Sequence, residues 1–309
     1  MSTLLLASLS PLAGKTTFAV GLAQRFTEGG KRVTLLRLEG DEASVLDAVL
    51  FSGLAFNNEP RRAAMSSGEI AQGVEGADFT IVEAPAGNLT AGVRALPARI
   101  VVAARDQELT DGQLAAFCQS LGDAFLGVVA VAVPRSRLES ARRFLTEDVS
   151  LPLLAFIPED RTLASPSITE LAGALTARAM FLNDRGQIVL DRIMISSISA
   201  DPSQGYFARY NPNAVIIRSD KPDLQLAALN AGIPCLVLTG GMQPLSYVLQ
   251  RAEEDDIPIL LTQYDTVTAV TILENLYAST RFGGEAKVRR IGQLMAESLE
   301  AETLNTLIS

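Results

Sequence analysis

The sequence predicts an α/β protein of two units, each a mostly parallel sheet covered by helices. Short apolar runs of strand length alternate with longer segments whose apolar residues recur at helical spacing, which is the pattern of a parallel sheet. The polar segment 183–186 interrupts this alternation and divides it into a longer and a shorter part. With 309 residues, 48% hydrophobic and 20% charged, the chain is long and apolar enough for two buried cores.

The first strand and the first helix enclose a loop with the chemistry of a phosphate-binding site. Residues 3–7 form an apolar run long enough for one buried strand, and residues 18–26 carry apolar side chains at helical spacing. Gly14, Lys15 and Thr16 stand where that helix opens. Backbone N–H groups at a helix start attract anions, a lysine there reaches the outer phosphates, and a threonine hydroxyl can bind Mg²⁺.

This loop is therefore predicted to bind the phosphates of a nucleotide together with Mg²⁺. Leu9 replaces the usual first glycine of such loops, so the prediction depends on the Gly-Lys-Thr run and on the strand and helix around it. The alternative is a helix start where these residues meet by chance. The residues predicted to contact the nucleotide are Ser8, Ser10, Ala13, Gly14, Lys15, Thr16 and Thr17.

Two further strands place charged residues at the same edge of the predicted sheet. Residues 31–38 and 78–83 are apolar runs, and open α/β sheets bind ligands beyond the carboxyl ends of such strands. The second run ends at Glu83, which is predicted to hold Mg²⁺ or its water shell. The alternative for each charged residue is a solvated position at a strand end. The candidate catalytic residues are Lys15, Arg37 and Glu83, and the candidate metal ligands are Thr16, Asp41 and Glu83.

Three more apolar runs extend this predicted sheet. They cover residues 99–104, 127–133 and 153–157, with helical segments between them. Residues 163–180 have a helical pattern and are predicted to close the unit, which assigns the first domain to residues 1–182.

The composition excludes several classes of site. The chain has no histidine, which rules out a Ser-His-Asp triad, a zinc site with histidine ligands and a phosphohistidine mechanism. The net charge of −9 and the 6% of aromatic residues argue against nucleic-acid binding. Cys118 and Cys235 lie far apart in apolar stretches, as the buried reduced thiols of a cytosolic protein do. No apolar run has the length of a membrane span, so we expect a soluble protein of the cytoplasm.

The first part of the chain resembles the dethiobiotin synthetase type of P-loop domain, in the form found at the N-terminus of some bacterial phosphotransacetylases. The resemblance implies the three-layer sandwich of a P-loop NTPase with ATP and Mg²⁺ as ligands. It also implies that Lys15 and Thr16 bind phosphate and Mg²⁺ and that Glu83 is a second Mg²⁺ ligand. The segments that carry the resemblance are residues 8–17, the strand with Arg37, the turn at Glu83, and residues 157–161.

One departure from that family concerns its substrate. Arg37 stands where dethiobiotin synthetases carry a lysine that holds the carbamate of the substrate. An arginine keeps the charge, but it is a planar group that stays protonated and so is not equivalent. We therefore do not expect this protein to make dethiobiotin.

The second part of the chain repeats the alternation of strands and helices on a smaller scale. Residues 214–218, 234–239 and 258–262 read as strands, and small or polar residues follow each of them. Because parallel strands end at one edge of a sheet, these residues are candidates for a ligand site. The alternative is that loops of α/β units are polar in any case. The candidates are Ser219, Asp220, Thr239, Gly240, Gly241, Asp265 and Thr266.

Residues 219–225, 236–241 and 260–266 resemble the DRTGG domain, a module that accompanies the P-loop domain in those phosphotransacetylases. The second domain is assigned to residues 183–309, including a helical tail without room for an acetyl-transferring domain. The resemblance implies a regulatory protein or sensor that binds ATP, without acetyltransferase activity. The alternative is an ATP-dependent carboxylase or ligase of the dethiobiotin synthetase kind that acts on another substrate. We expect a homo-oligomer, and a protein partner is open.

Overall fold

The computed structural model describes residues 2–72, 76–109, 112–196, 205–299 and 301–308. The chain divides into two compact units. The first unit holds Met1–Asp160 together with Val288–Ser309, and the second holds Arg161–Lys287. Both units have the predicted α/β architecture, so the predicted fold class is confirmed.

Most of the strands are short and buried, as the apolar runs predicted. The two edge strands of the second sheet, residues 178–180 and 193–195, were not predicted. The strands are β1 Ser2–Ala7, β2 Val33–Arg37, β3 Phe79–Glu83, β4 Arg99–Arg105, β5 Phe125–Val133, β6 Leu153–Pro158, β7 Arg178–Met180, β8 Ile193–Ile195, β9 Ala214–Arg218, β10 Leu236–Thr239 and β11 Ile259–Leu261.

The helices follow the strands in alternation. They are α1 Lys15–Glu28, α2 Ala43–Ser52, α3 Ser67–Ala71, α4 Ala91–Arg94, α5 Asp106–Leu109, α6 Gly112–Gln119, α7 Leu138–Arg143, α8 Arg161–Ala164, α9 Ile168–Ala174, α10 Tyr206–Tyr210, α11 Pro222–Asn230, α12 Ser246–Glu254, α13 Thr266–Leu276, α14 Glu285–Ser298 and α15 Ala301–Ile308. Among the described helices we find none with the length and apolar character needed to span a bilayer.

The first sheet places the end of β1 at its topological centre. Its six strands are parallel in the order β2-β3-β1-β4-β5-β6. The chain moves outward from β1 to β2, returns to β3, and then continues on the other side of β1 with β4. The loop after β1 therefore lies at the switch point, where open α/β sheets bind their ligands.

The second sheet begins earlier in the chain than the predicted boundary at residue 183. Its order is β7-β11-β10-β9-β8, and β7 pairs antiparallel to β11 at the edge. The single helix predicted over residues 163–180 is therefore wrong, because these residues form α8, α9 and β7. Pro166 and the capping box of Ser167 with Glu170 restart the helix, and Thr176 ends it with a positive φ of 46°.

The helical tail belongs to the first unit, although the sequence pattern assigned it to the second. A Cβ atom at Gly21 in α1 would lie 2.6 Å from Met295 Cγ and 2.7 Å from Ile291 Cγ1 of α14. Ile291 and Met295 are fully buried. Close packing of α14 on α1 thus requires glycine at position 21.

This packing yields a first prediction. Gly21→Ala should destabilise the first unit by about 1–3 kcal/mol, since the new methyl group overpacks the contact with α14. Gly112→Ala in α6 is the matched control, because a Cβ there meets no described atom within 4 Å. Calorimetric unfolding of the full chain should show a lower transition temperature for the first variant alone. Equal transition temperatures would mean that α14 does not rest on α1.

Candidate functional site

Gly14 shapes the loop between β1 and α1. It precedes α1 in the left-handed conformation with φ of 94°, which favours glycine. A Cβ atom at this position would lie 2.5 Å from Val131 Cγ1 of β5, so any side chain would collide with the sheet. No side chain of the described residues caps the N-terminus of α1, whose first N–H groups lack helical acceptors. The loop can therefore approach an anion closely.

Lys15 lies inside the site although it carries a charge. Its Nζ donates a hydrogen bond of 2.7 Å to Ser8 Oγ, and Ser8 Oγ donates one of 2.8 Å to the carbonyl oxygen of Ser10. Only 5% of Lys15 is exposed. Burial lowers the pKa of Lys15, and the nearby Glu83 carboxylate acts in the opposite direction. A buried ammonium with a neutral hydroxyl partner is stabilised by any anion that approaches it.

Glu83 at the end of β3 faces the start of α1. Thr16 Oγ1 donates a hydrogen bond of 3.1 Å to Glu83 Oε1, while Glu83 Oε2 has no partner among the described residues. Only 3% of Glu83 is exposed. Burial raises the pKa of Glu83 to about 7, Asp47 adds to this effect, and Lys15 opposes it. A buried carboxylate with one open oxygen is a group that a cation or a donor would stabilise.

Arg37 is fully engaged within the chain. Its Nε donates to Asp47 Oδ2 at 3.2 Å, and its Nη2 donates to both oxygens of Asp41 at 2.7 Å. Its Nη1 donates to the carbonyl oxygens of Leu38 at 2.8 Å and of Glu83 at 3.2 Å. These contacts use the five N–H donors of a guanidinium, and only 2% of the residue is exposed. No donor of Arg37 is left for a substrate, so the geometry favours a positioning role.

Asp41 is likewise occupied by protein groups. Besides Arg37, it accepts a hydrogen bond of 2.7 Å from Ser44 Oγ. Burial raises the pKa of Asp41, but the Ser44 hydrogen bond and Arg37 together outweigh burial, so its pKa is lowered overall. In the described part of the chain, no three carboxylates or thiols cluster as metal ligands. Of the proposed metal ligands, Thr16 and Glu83 lie together, whereas Asp41 faces Arg37.

The other loop residues predicted to contact a nucleotide differ in their burial and in their contacts. Ala13 is buried, Ser10 contributes its carbonyl oxygen to Ser8, and Thr17 is half-buried in the first turn of α1. Sequence reasoning missed the contributions of Ser44 and Val131. Sequence spacing does not reveal that Val131 packs against Gly14. Ser44 lies only three residues after Asp41, so the local Asp-x-x-Ser pattern is a signal that could have found its hydrogen bond.

The second unit brings several of its candidate residues together at the carboxyl edge of its sheet. Thr239 Oγ1 lies 2.9 Å from Thr266 Oγ1. Ser219 N donates to the carbonyl oxygen of Thr239 at 2.8 Å, and Ser219 Oγ accepts from Met242 N at 3.1 Å. These hydroxyls connect the loops after β9, β10 and β11.

The Gly-Gly loop after β10 does not offer its amides to a ligand. Gly240 N donates to the carbonyl oxygen of Tyr264 at 2.8 Å, and Gly241 N donates to that of Thr262 at 3.0 Å. Asp265 caps α13 through a hydrogen bond of 2.7 Å from Thr268 N. Asp220 pairs with Arg218, whose Nε donates to Asp220 Oδ1 at 3.0 Å. The amides of these two glycines are therefore not open to a ligand, although α12, which follows the loop, begins without a side-chain cap.

Comparison with known proteins identifies a DRTGG domain at residues 170–276, within the second unit. The resemblance predicted from the sequence is confirmed for this domain, which begins at α9 rather than after residue 183. The match covers about a third of the chain.

Two curated relatives are similar to parts of the chain. Phosphate acetyltransferase from Nitratidesulfovibrio vulgaris is 25% identical over 234 residues, which cover 67% of this chain and 32% of that protein. Cobalt-dependent inorganic pyrophosphatase from Clostridium perfringens is 18% identical over 110 residues, which cover 36% of this chain and 20% of that protein. The chain thus spans a third or less of the length of these relatives.

Solved structures show only distant similarity. A chain of the MinC:MinD cell division protein complex of Aquifex aeolicus has a TM-score of 0.41 at 14% identity, covering 53% of this chain and 83% of that chain. MinD with Mg-ADP from Pyrococcus horikoshii OT3 has a TM-score of 0.38 at 20% identity, covering 52% and 83%. The CBS and DRTGG domains of Clostridium perfringens pyrophosphatase, complexed with diadenosine tetraphosphate, have a TM-score of 0.33 at 17% identity, covering 44% and 62%.

The role of Arg37 can be tested by its removal. Arg37→Met leaves Asp41 and Asp47 without their shared cation, and loss of one partner from a buried ion pair costs about 3–5 kcal/mol. We expect a clear fall in the thermal transition of the first unit. Arg32→Met is the control, because Arg32 pairs with Asp78 at an exposed position and little change should follow. A stable Arg37→Met protein would contradict the positioning role.

The environment of Glu83 predicts a pH effect. A carboxyl whose pKa is raised by folding stabilises the protein below its ordinary pKa of 4.5, and this stability is lost as the pH rises towards 7. The transition temperature of the wild type should therefore fall over this range relative to Glu83→Gln, which does not titrate. A shift of a few degrees is expected, since about 1 kcal/mol moves the transition of a domain of this size by roughly 2–4 °C. A constant difference between the two proteins would contradict the raised pKa.

Proposed function

We propose that this chain is an ATP-binding regulatory protein of the cytoplasm, with the nucleotide phosphates bound by the loop between β1 and α1. The observation that carries the proposal is the convergence of Lys15, Thr16 and Glu83 on the start of α1 at the switch point of the sheet. Gly14 opens the backbone for close approach, and the buried ammonium of Lys15 supplies the opposite charge.

The residues present also fit Mg²⁺. Glu83 has an unpartnered buried oxygen among the described residues and shares its other oxygen with the Thr16 hydroxyl. Oxygen ligands of this kind, one carboxylate and one hydroxyl next to phosphates, are those Mg²⁺ accepts in nucleotide sites. Thr16 and Glu83 would hold the ion, which when bound neutralises charge on the phosphates.

The chain's own residues then have separate tasks. Lys15 can exchange the Ser8 hydroxyl for a phosphate oxygen without leaving its buried position, because its present partner is neutral. Arg37 holds the carbonyl group of Glu83 and so fixes where β3 ends. In this proposal Lys15 binds phosphate and Arg37 only orients the end of β3, and neither residue performs a chemical step.

The regulatory part of the proposal is supported by the DRTGG domain in the second unit. Regulation requires a coupling free energy between two sites, typically about 1–3 kcal/mol, and it must be reciprocal. The coupling has to be measured in the full chain, because a chain ended near Asn183 would lose α14 from the first unit.

The ligase alternative has no specific observation in its favour. It needed Arg37 to face a small-molecule substrate, but all its donors are bound within the chain. Dethiobiotin synthesis is accordingly not proposed.

The proposed nucleotide site is tested by removing the ammonium group of Lys15. Lys15→Ala should weaken binding of Mg-ATP by more than about tenfold, because it removes a charge-assisted contact to phosphate. Lys31→Ala is the matched control, since Lys31 is an exposed lysine of the same unit. Isothermal titration calorimetry with ATP, GTP and inorganic phosphate, each with and without Mg²⁺, measures the affinities and the base preference. If the Lys15→Ala variant and the parent bound Mg-ATP with equal affinity, the proposal would be contradicted.

A further inference from the structure

Arg105 stands at the end of β4, on the opposite side of β1 from Glu83. In the first sheet β1 lies between β3 and β4, and Glu83 and Arg105 are the last residues of these two strands. The strands are parallel, so both residues lie at the same edge as the loop after β1. The start of α1 is thus flanked by a carboxylate on one side and by a guanidinium on the other.

The register of the sheet places the Arg105 side chain on the face that α1 covers. Arg105 pairs with Val131 of β5, and the side chains of paired residues in neighbouring strands point to the same face. Val131 is on the α1 face, because its Cγ1 would lie 2.5 Å from a Cβ atom at Gly14, the residue before α1. Neighbouring strands are about 4.8 Å apart. Arg105 is therefore one strand spacing from the contact between Val131 and Gly14, which an arginine side chain is long enough to span.

The guanidinium of Arg105 has donors that the protein does not use. Its Nε is buried and has no hydrogen-bond partner among the described residues. A buried donor without a partner costs free energy, and an acceptor that reaches it recovers this cost. Arg37 differs in this respect, because all its donors are bound within the chain. Arg105 therefore offers what Arg37 does not, a cation with N–H groups open to a ligand.

The carboxylates nearest to Arg105 in sequence, Asp106 and Glu108, contact other groups. Asp106 Oδ2 accepts a hydrogen bond of 2.6 Å from Arg137 Nη1, and Glu108 Oε2 accepts one of 2.8 Å from the backbone N–H of Arg105. Their second oxygens, Oδ1 and Oε1, are buried without a partner in the described ranges. Neither carboxylate is hydrogen-bonded to the guanidinium of Arg105, so no direct ion pair with them neutralises its charge.

We propose that Arg105 is a second cation of the nucleotide site and binds the phosphate nearest the nucleoside, an assignment that rests on the proposed function. Thr16 and Glu83 would hold Mg²⁺ on the β3 side of α1, and Mg²⁺ in nucleotide sites bridges the two outer phosphates. A phosphate chain that crosses the start of α1 from that side reaches the β4 side with its inner phosphate. A guanidinium suits this position, because its planar fork can donate two parallel hydrogen bonds to a phosphate.

The test removes the guanidinium of Arg105 and, as a control, that of Arg99 at the other end of the same strand. Arg99 is exposed at the amino end of β4, far from the loop after β1. Isothermal titration calorimetry of the full chain measures the affinities for Mg-ATP and Mg-ADP. We expect Arg105→Met to weaken both by about tenfold, since each ligand carries the inner phosphate. Arg99→Met should leave both affinities unchanged.

Titration of ATP without Mg²⁺ gives a second measurement. The loss caused by Arg105→Met should remain about tenfold, because the guanidinium lies on the other side of α1 from Thr16 and Glu83. If the variant and the parent bound ATP equally without Mg²⁺, Arg105 would act through the cation, and the assignment to the inner phosphate would be wrong. A loss confined to Mg-ATP and absent for Mg-ADP would place the guanidinium at the outer phosphate and would also overturn it.

Thermal unfolding separates binding from a structural role. If Arg105→Met unfolds at a lower temperature yet binds Mg-ATP as tightly as the parent, Arg105 stabilises the fold only and the proposal is overturned. If this variant does not fold, Arg105→Gln, which keeps a polar side chain, is measured in its place with the same expectation. Lys15→Ala identifies which proposal fails. Normal binding by Arg105→Met beside weak binding by Lys15→Ala removes Arg105 from the site and leaves the proposed function, whereas a parent that binds no nucleotide removes both.

Discussion

The guanidinium of Arg37 is the contact on which the first unit's site depends. It joins the end of β2 to the carbonyl group of Glu83 at the end of β3, and it also binds Asp41 and Asp47. Three segments that approach the loop after β1 are thus held in register by one buried cation. Because all its donors are used, the cation contributes order rather than binding capacity. A lysine could not do this, since an ammonium has three donors and no planar fork.

The loop after β1 and the end of β3 also contain groups that the fold leaves incompletely stabilised. Lys15 is buried against a neutral hydroxyl, and Glu83 has one carboxylate oxygen without a partner in the described structure. Both arrangements disfavour the charged form of the side chain in the absence of ligand, as the direction of each pKa shows. A phosphate next to Lys15 and a cation next to Glu83 would stabilise the charged forms that burial disfavours. Buried charges that lower stability in this way are typical of functional sites.

The two units use the same edge of similar sheets in different ways. In the first, no described side chain caps α1, and the glycine before it brings the backbone close to β5. In the second, the amides of Gly240 and Gly241 donate to neighbouring carbonyl oxygens. The apolar side chains that follow, Met242 and Leu245, are exposed. Uncapped N–H groups are available to an anion, whereas amides that are already bound, such as those of Gly240 and Gly241, are not. Glycine-rich loops at the ends of parallel strands thus do not by themselves identify a phosphate site.

The sequence by itself determined the α/β class, the strands of the first sheet and the three inner strands of the second. It also placed Lys15, Thr16 and Glu83 at one edge. These features follow from local apolar runs and from the rule that parallel strands end together. Tertiary structure alone decided three things. It divided the chain at residue 161 and returned α14 to the first unit, since strand pairing of β7 and packing against Gly21 are contacts between residues distant in sequence. It turned Arg37 and Asp41 towards each other instead of towards a ligand. It also closed the Gly-Gly loop, because the acceptors for its amides come from another loop that sequence spacing does not reveal.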